Sequence, residues 1–294
     1  MKTESVAPDL GYLRLVLVNV YLYGLPDAGD RGWVLIDAGI PGPGVADRII
    51  QAAAERFGPD ARPSAIVLTH GHFDHVGTLR ALAEHWDAPV YAHRLELPYL
   101  TGRRAYLPPD PTVGGGAMSL LSPLYPRGPF RFEDRVAELP GDGTVPGMPG
   151  WQWIHTPGHS PGHISLFRED DRALIAGDAF VTTRQESVIG VAAWQPRVHR
   201  PPAYFTPDWA AARDSVRRLA ALEPELAATG HGPPMRGREM RLQLHALADR
   251  FDTVALPRHG RYVGRPLFQE PLPRLLLGVG AAVALIVVGR LARR

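Results

Sequence analysis

Cysteine is missing from all 294 residues. That excludes disulfides and thiolate metal ligands, and it is compatible with any redox compartment. Lysine is nearly missing too: Lys2 is the only one, so almost all of the 32 basic residues are arginine. Set against 30 acidic residues they leave a net charge of +2, too small an excess to point to a nucleic-acid partner. No lysine-rich or arginine-rich insertion interrupts the chain. The start, Met1-Lys2-Thr3-Glu4-Ser5, lacks the cationic-then-apolar order of a secretory leader, so the folded part is expected in the cytoplasm. Hydrophobic residues make up 45% of the chain, enough to bury a large core within one main domain.

Histidine and aspartate carry the chemistry. The run Thr69-His70-Gly71-His72-Phe73-Asp74-His75 packs four potential metal ligands into six residues, directly after the strand-like Ser64-Ala65-Ile66-Val67-Leu68. Imidazole nitrogen and carboxylate oxygen suit zinc, and also iron or manganese. Two histidines one residue apart can reach the same ion, while Asp74 and His75 point elsewhere and can serve a second. Three later positions share this order of apolar run, sharp turn and ligand. His159 lies in Thr156-Pro157-Gly158-His159-Ser160-Pro161-Gly162-His163, Asp178 ends Ala173-Leu174-Ile175-Ala176-Gly177, and His231 sits between Gly230 and Gly232. A lone His-Gly turn is more often structural; an ordered set of such turns reads as a binuclear metal centre.

These signatures, with Asn19-Val20-Tyr21-Leu22 and Leu35-Ile36-Asp37-Ala38-Gly39 ahead of them, resemble the metallo-β-lactamase-fold hydrolases over about residues 12–250. The resemblance implies an α/β fold, a four-layer αβ/βα sandwich with the metals at one edge. It implies that His70, His72 and His159 bind one metal, that Asp74, His75 and His231 bind the other, and that Asp178 bridges them. Asp37 and His163 would orient ligands from behind. Departures narrow the chemistry. With no cysteine, the lactamase classes that use that ligand are excluded, and a bridging Asp178 disfavours the remaining one. His72 stands where flavodiiron proteins of this fold carry Glu, and Val181 stands where lactonases carry Tyr.

The expected domains are a catalytic domain over 1–255, a Pro-bearing linker over 256–273 and an apolar helix over 274–294. Helices are expected over Val45–Phe57, Val76–Trp86 and Pro207–Leu222, the last with Trp209, Ala212, Val216 and Leu219 on its buried face. The Pro/Gly-rich stretch 96–131 reads as a lid or pocket wall, joined by Tyr204 and Phe205. Leu275–Gly289 is uncharged and flanked by Arg274 and Arg290. As a helix it would span about 22 Å, short of the roughly 30 Å hydrocarbon core, a gap that snorkelling arginines narrow. Membrane association through 275–289 is the expectation, and docking on the protein is the competing one. The other expected partner is a small-molecule substrate, with a homodimer left open.

The expected reaction is hydrolysis with two divalent metal ions, zinc foremost, that share a water and lower its pKa toward neutrality. The resulting hydroxide attacks an ester, thioester, lactone or phosphoester, and Asp74 holds it and shuttles a proton to the leaving group. Two other classes compete. A mononuclear iron dioxygenase of the persulfide-oxidising type would use one iron on the same residues, and a non-catalytic binding module would have little reason to keep seven buried ligand positions.

Overall fold

The strand Ala173–Gly177 shows how the fold is built. Its alternate residues face opposite ways: Ala173 and Ile175 enter one apolar cluster, Leu174 and Ala176 another. The computed structural model describes residues 3–132 and 135–264, and within them this alternation recurs on both sheets.

The first sheet places seven strands side by side in chain order: β1 (Glu4–Ala7), β2 (Leu10–Leu15), β3 (Val18–Tyr23), β4 (Val34–Ile36), β5 (Ala65–Val67), β6 (Val90–Ala92) and β7 (Val136–Glu138). Pairing is antiparallel up to β4 and parallel from there on. The second sheet holds β8 (Trp151–His155), β9 (Ile164–Arg168), β10 (Ala173–Gly177), β11 (Leu226–Thr229) and β12 (Met235–Arg236), in the order β12-β11-β10-β9-β8. Only β10 and β11 run parallel there.

Three apolar clusters separate four layers. Tyr21, Val34, Ile36 and Val67 of the first sheet meet Ile164, Leu166, Ile175 and Ala228 of the second. The outer face of the first sheet, with Val20, Leu22, Leu35 and Ile66, is covered by α1 (Val45–Phe57) and by the helix Leu79–Trp86. The outer face of the second, with Leu174, Ala176 and Ala227, is covered by the helices Trp209–Ala221 and Gly237–Asp249. This is the expected αβ/βα sandwich.

Helix boundaries follow local chemistry. Asp208 caps the helix Trp209–Ala221 by accepting from the Ala211 N–H, and Trp209, Ala212, Val216 and Leu219 are buried as their spacing predicts. The single helix expected over Val76–Trp86 is instead a short turn, α2 (Phe73–Val76), followed by α3 (Leu79–Trp86). The break lets α2 present Asp74 and His75 to the sheet edge. Stretch 96–131 contributes α4 (Leu97–Leu100) and α5 (Ala117–Leu121) and buries Leu100, Tyr106 and Val113. After it come α6 (Val188–Ala193), α7 (Trp209–Ala221), α8 (Gly237–Asp249) and α9 (Phe251–Val254).

One compact unit runs through Val263. Residues just past the expected boundary at 255 belong to it: the Tyr262 hydroxyl donates to the Pro108 carbonyl at 2.6 Å, and the Arg261 N–H donates to Asp110. The expected apolar helix over 274–294 lies outside the described residues. Among the described residues no helix is long and apolar enough to cross a membrane.

Candidate metal centre

Strand ends deliver the polar residues. Directly after β5, Thr69 turns in and the chain places His70 and His72 on an extended loop, then Asp74 and His75 on α2. The turn between β8 and β9 supplies His159, the end of β10 supplies Asp178, and the turn after β11 supplies His231. All seven are buried. They fall into overlapping groups whose donor atoms lie within 4.8 Å of one another: His70/His72/His159, His70/His75/Asp178 and Asp74/His75/His231.

Asp178 sits between the groups. Its Oδ2 is 3.4 Å from His159 Nε2, 3.1 Å from His231 Nε2 and 3.7 Å from His75 Nε2. His72 Nδ1 lies 2.9 Å from His159 Nε2, and Asp74 Oδ2 lies 3.5 Å from His231 Nε2. Close approach is built into the backbone: a Cβ at Gly230 would sit 2.1 Å from Asp178 Oδ1, so only glycine fits there.

Four of the five imidazoles, all but His72, are aimed from outside. The Nδ1 of His75 meets Asp37 Oδ2 at 2.8 Å, that of His231 meets the Leu17 carbonyl at 2.6 Å, and that of His70 meets Thr69 Oγ1 at 3.1 Å. His159 Nδ1 faces Thr206 Oγ1 at 3.3 Å. Occupying Nδ1 fixes ring orientation and turns Nε2 inward. Asp37 also accepts the Thr69 N–H and hydroxyl, both at 2.8 Å, so one buried carboxylate orients His75 and the loop leading to His70. His163 accepts the Asp178 N–H on Nε2 at 2.8 Å and therefore donates from Nδ1 to Thr156 Oγ1 at 2.9 Å. Asn19 reaches over from β3, its amide donating to the carbonyls of Thr229 and Gly232 around His231 at 2.9 and 2.7 Å.

Charge follows from this packing. Burial, then the neighbouring imidazoles, hold His70 and His159 neutral far below the usual histidine range, and His72 is lowered to about 3 chiefly by burial. Burial opposes a charge on His75 and His231 as well, but the carboxylates of Asp37 and Asp178 overcome it and raise His75, and Asp178 raises His231. Asp178 stays ionised well below the usual range: burial opposes this, and His231 and His75 outweigh it. His70 Nε2, His75 Nε2 and Asp178 Oδ1 are buried without a hydrogen-bond partner. Buried polar atoms left unpaired are costly, and divalent cations held by these groups would satisfy them. Nitrogen and oxygen donors without sulfur match zinc, iron or manganese.

The sequence model of the metallo-beta-lactamase superfamily matches residues 13–231. The chain belongs to that superfamily. It is 48% identical over 242 residues to the probable metallo-hydrolase YflN of Bacillus subtilis, covering 82% of this chain and 90% of that one. Among solved structures it is similar to TTHA1623 in a di-iron-bound form, at 30% identity and a TM-score of 0.50 over 82% of this chain and 98% of that one. ST1585 of Sulfolobus tokodaii, a protein of the same superfamily, shares the fold at 21% identity and a TM-score of 0.55, over 84% of this chain and 87% of that one. The chain is thus a metal-dependent hydrolase, and its His/Asp groups are ones that could hold a divalent ion.

One residue of this superfamily member's site has no counterpart in the sequence expectations. Glu96, fully buried at the start of the 96–131 stretch, accepts four hydrogen bonds. Oε2 takes the Gly71 N–H at 2.9 Å and the Tyr106 hydroxyl; Oε1 takes the Ser160 hydroxyl and the Gly162 N–H, both at 2.7 Å. Gly71 lies between His70 and His72, and Ser160 follows His159, so this carboxylate ties together the two turns that carry those histidines. Burial raises its pKa against the pull of these donors. Its only trace in the sequence is a charge between Leu95 and Leu97. Glu96→Gln places an amide against donors on one side and is expected to weaken metal binding about tenfold, by the magnitude typical of residues that orient ligands. Chelator competition measures it; a lowered melting temperature with unchanged metal affinity would make Glu96 a fold clamp only.

Proposed function

We propose that the chain is a two-metal hydrolase of an ester, thioester, lactone or phosphoester in a small-molecule substrate. The observation that carries this reading is the position of Asp178, whose Oδ2 lies within 3.7 Å of histidines from both ligand groups. His70, His72 and His159 would hold one cation, Asp74, His75 and His231 the other, with Asp178 between them. Zinc is the proposed metal on donor chemistry, and iron is the alternative that the di-iron form of TTHA1623 supports. A mononuclear dioxygenase leaves the buried Asp74/His75/His231 group without work, so the hydrolase reading is preferred.

When bound, such ions supply Lewis-acid polarisation and a water acidified toward neutrality. The chain's own residues do the rest. Asp74 is buried beside His231, and burial, opposed by His75 and His231, raises its pKa; it would hold a proton at a carboxylate oxygen and return it to the leaving group. An aromatic wall stands next to His72: Phe205 at 4.7 Å and Tyr106 at 4.5 Å between ring centroids. Tyr125 extends it, 5.4 Å from Phe73 and 5.9 Å from Tyr204. This wall would exclude water and receive the apolar part of the substrate.

Removing His72 takes away one nitrogen ligand, so His72→Ala is expected to lose both metal and turnover. Asp178→Asn replaces a bridging charge with a neutral amide. It should cost more than His163→Ala, for which a loss of about 10- to 100-fold is expected from an orienting role. Metal content and kcat/KM, compared at equal folded fraction, check this; equal losses in the Asp178 and His163 variants would contradict the bridge.

Membrane association through 275–289 stands as a proposal on its uncharged composition. Full-length protein is expected to resist extraction by high salt, which screens charge but not apolar burial. Protein lacking residues 274–294 is expected in the soluble fraction with unchanged turnover, and loss of turnover on truncation would count against the proposal.

A further inference from the structure

A cleft of about 480 Å³ lies between the segment after Asp178 and α8. Its volume falls in the range of roughly 300–1,000 Å³ that small-molecule sites occupy. Its walls carry four arginines, Arg184, Arg197, Arg200 and Arg250, with His199, against a single carboxylate, Glu186. Glu186 is already committed: its Oε1 accepts the Ala203 N–H at 3.2 Å and Arg200 Nε at 3.3 Å. Arg200 also donates to the Ala255 carbonyl at 2.7 Å. The side chains of Arg184, Arg197 and Arg250 make no ion pair or hydrogen bond among the described residues. By contrast Arg62, Arg168, Arg213 and Arg241 each meet a carboxylate.

Four guanidiniums against one carboxylate leave three positive charges facing one cavity. Like charges converging this way repel, and an anion relieves the repulsion. Burial lowers the pKa of His199, Glu186 opposes this, and Arg197, Arg184 and Arg200 add to the lowering. Guanidinium forks match tetrahedral oxyanions, which accept two parallel N–H bonds from each. A charge excess of three suits two linked phosphates better than one carboxylate.

The cleft is fastened to the metal centre. His199 and Val181 exchange backbone hydrogen bonds at 2.7 and 3.1 Å, the Arg197 N–H donates to the Thr182 carbonyl at 3.1 Å, and the Thr182 N–H donates to the His231 carbonyl at 3.0 Å. Val181 stands three residues after Asp178. One wall of the cleft is therefore held to two metal-site turns.

We propose that this cleft binds an oligophosphate group, either as the headgroup of the substrate or as a separate effector. The source is open to experiment; the chemistry that recognises it is shared.

The test is calorimetric titration of the full-length protein with inorganic pyrophosphate, with ADP and, for comparison, with citrate. Pyrophosphate and ADP are expected to bind, citrate at least tenfold more weakly. Arg197→Ala and Arg250→Ala should each weaken pyrophosphate on the order of tenfold, as loss of a charge-assisted hydrogen bond does. Both side chains are exposed, so folding is not at stake, and a thermal melt confirms it. Arg238→Ala, exposed on α8 and outside the cleft, should bind as the unaltered chain does. His72→Ala should also keep its affinity, because the cleft does not use the metal ligands. No binding at millimolar pyrophosphate, equal binding of citrate, equal loss in Arg238→Ala, or loss in His72→Ala would each overturn the proposal. None of these readouts uses turnover, so the hydrolase reading stands or falls separately. Once a substrate is in hand, competitive inhibition by pyrophosphate marks a headgroup site, and a change in kcat without competition marks an effector site.

Discussion

Buried polar atoms without a hydrogen-bond partner dominate the candidate site. His70 Nε2, His75 Nε2 and Asp178 Oδ1 are buried close together and have no hydrogen-bond partner. Such an arrangement costs free energy unless a cation occupies it. What holds it in place is a ring of outward contacts, each using the far atom of a ligand: Asp37 on His75, the Leu17 carbonyl on His231, Thr69 on His70 and His163 on the Asp178 backbone. The site is preorganised because its aiming contacts are made by parts of the chain that never touch the metal positions.

The two-sheet architecture explains why these contacts exist. Both sheets bring strand ends to one edge, so turns from β5, β8, β10 and β11 meet there. The first sheet also supports ligands of the second: Asn19 and Tyr21 of β3 bind the Thr229 carbonyl, and Asn19 binds the Gly232 carbonyl. Glu96 then clamps the His70–His72 loop to the His159 turn with four donors on one carboxylate. The site is thus held from both sheets and from the 96–131 stretch, which makes that stretch part of the site's framework.

Much of this was legible in residue order, and the reasons differ by element. The seven His/Asp positions announce themselves because each follows an apolar strand and a tight turn. Helices α1 and α7 were legible through their buried stripes. α8 has no counterpart among the expected helices, although Met240, Leu244, Leu247 and Ala248 recur at helical spacing as the buried residues of α7 do. α2 and α3 were merged, because the apolar spacing continues across a break that only the metal-site geometry requires. Glu96 could not be seen: a single carboxylate carries no pattern, and its meaning depends on Gly71 and Gly162 being brought to it by folding. The same holds for the arginine cleft, whose walls come from two distant segments and whose arginines look alike in a chain where nearly every basic residue is arginine.

Two cations are proposed, one on either side of Asp178. Anomalous diffraction above and below the absorption edges of zinc and iron, on crystals of the protein purified without added chelator, tests this most directly. The account predicts two peaks per chain, one among His70, His72 and His159 and one among Asp74, His75 and His231, with Asp178 between them. A single peak confined to His70, His72 and His159, with the Asp74 group hydrogen-bonded to itself or to water, would contradict it.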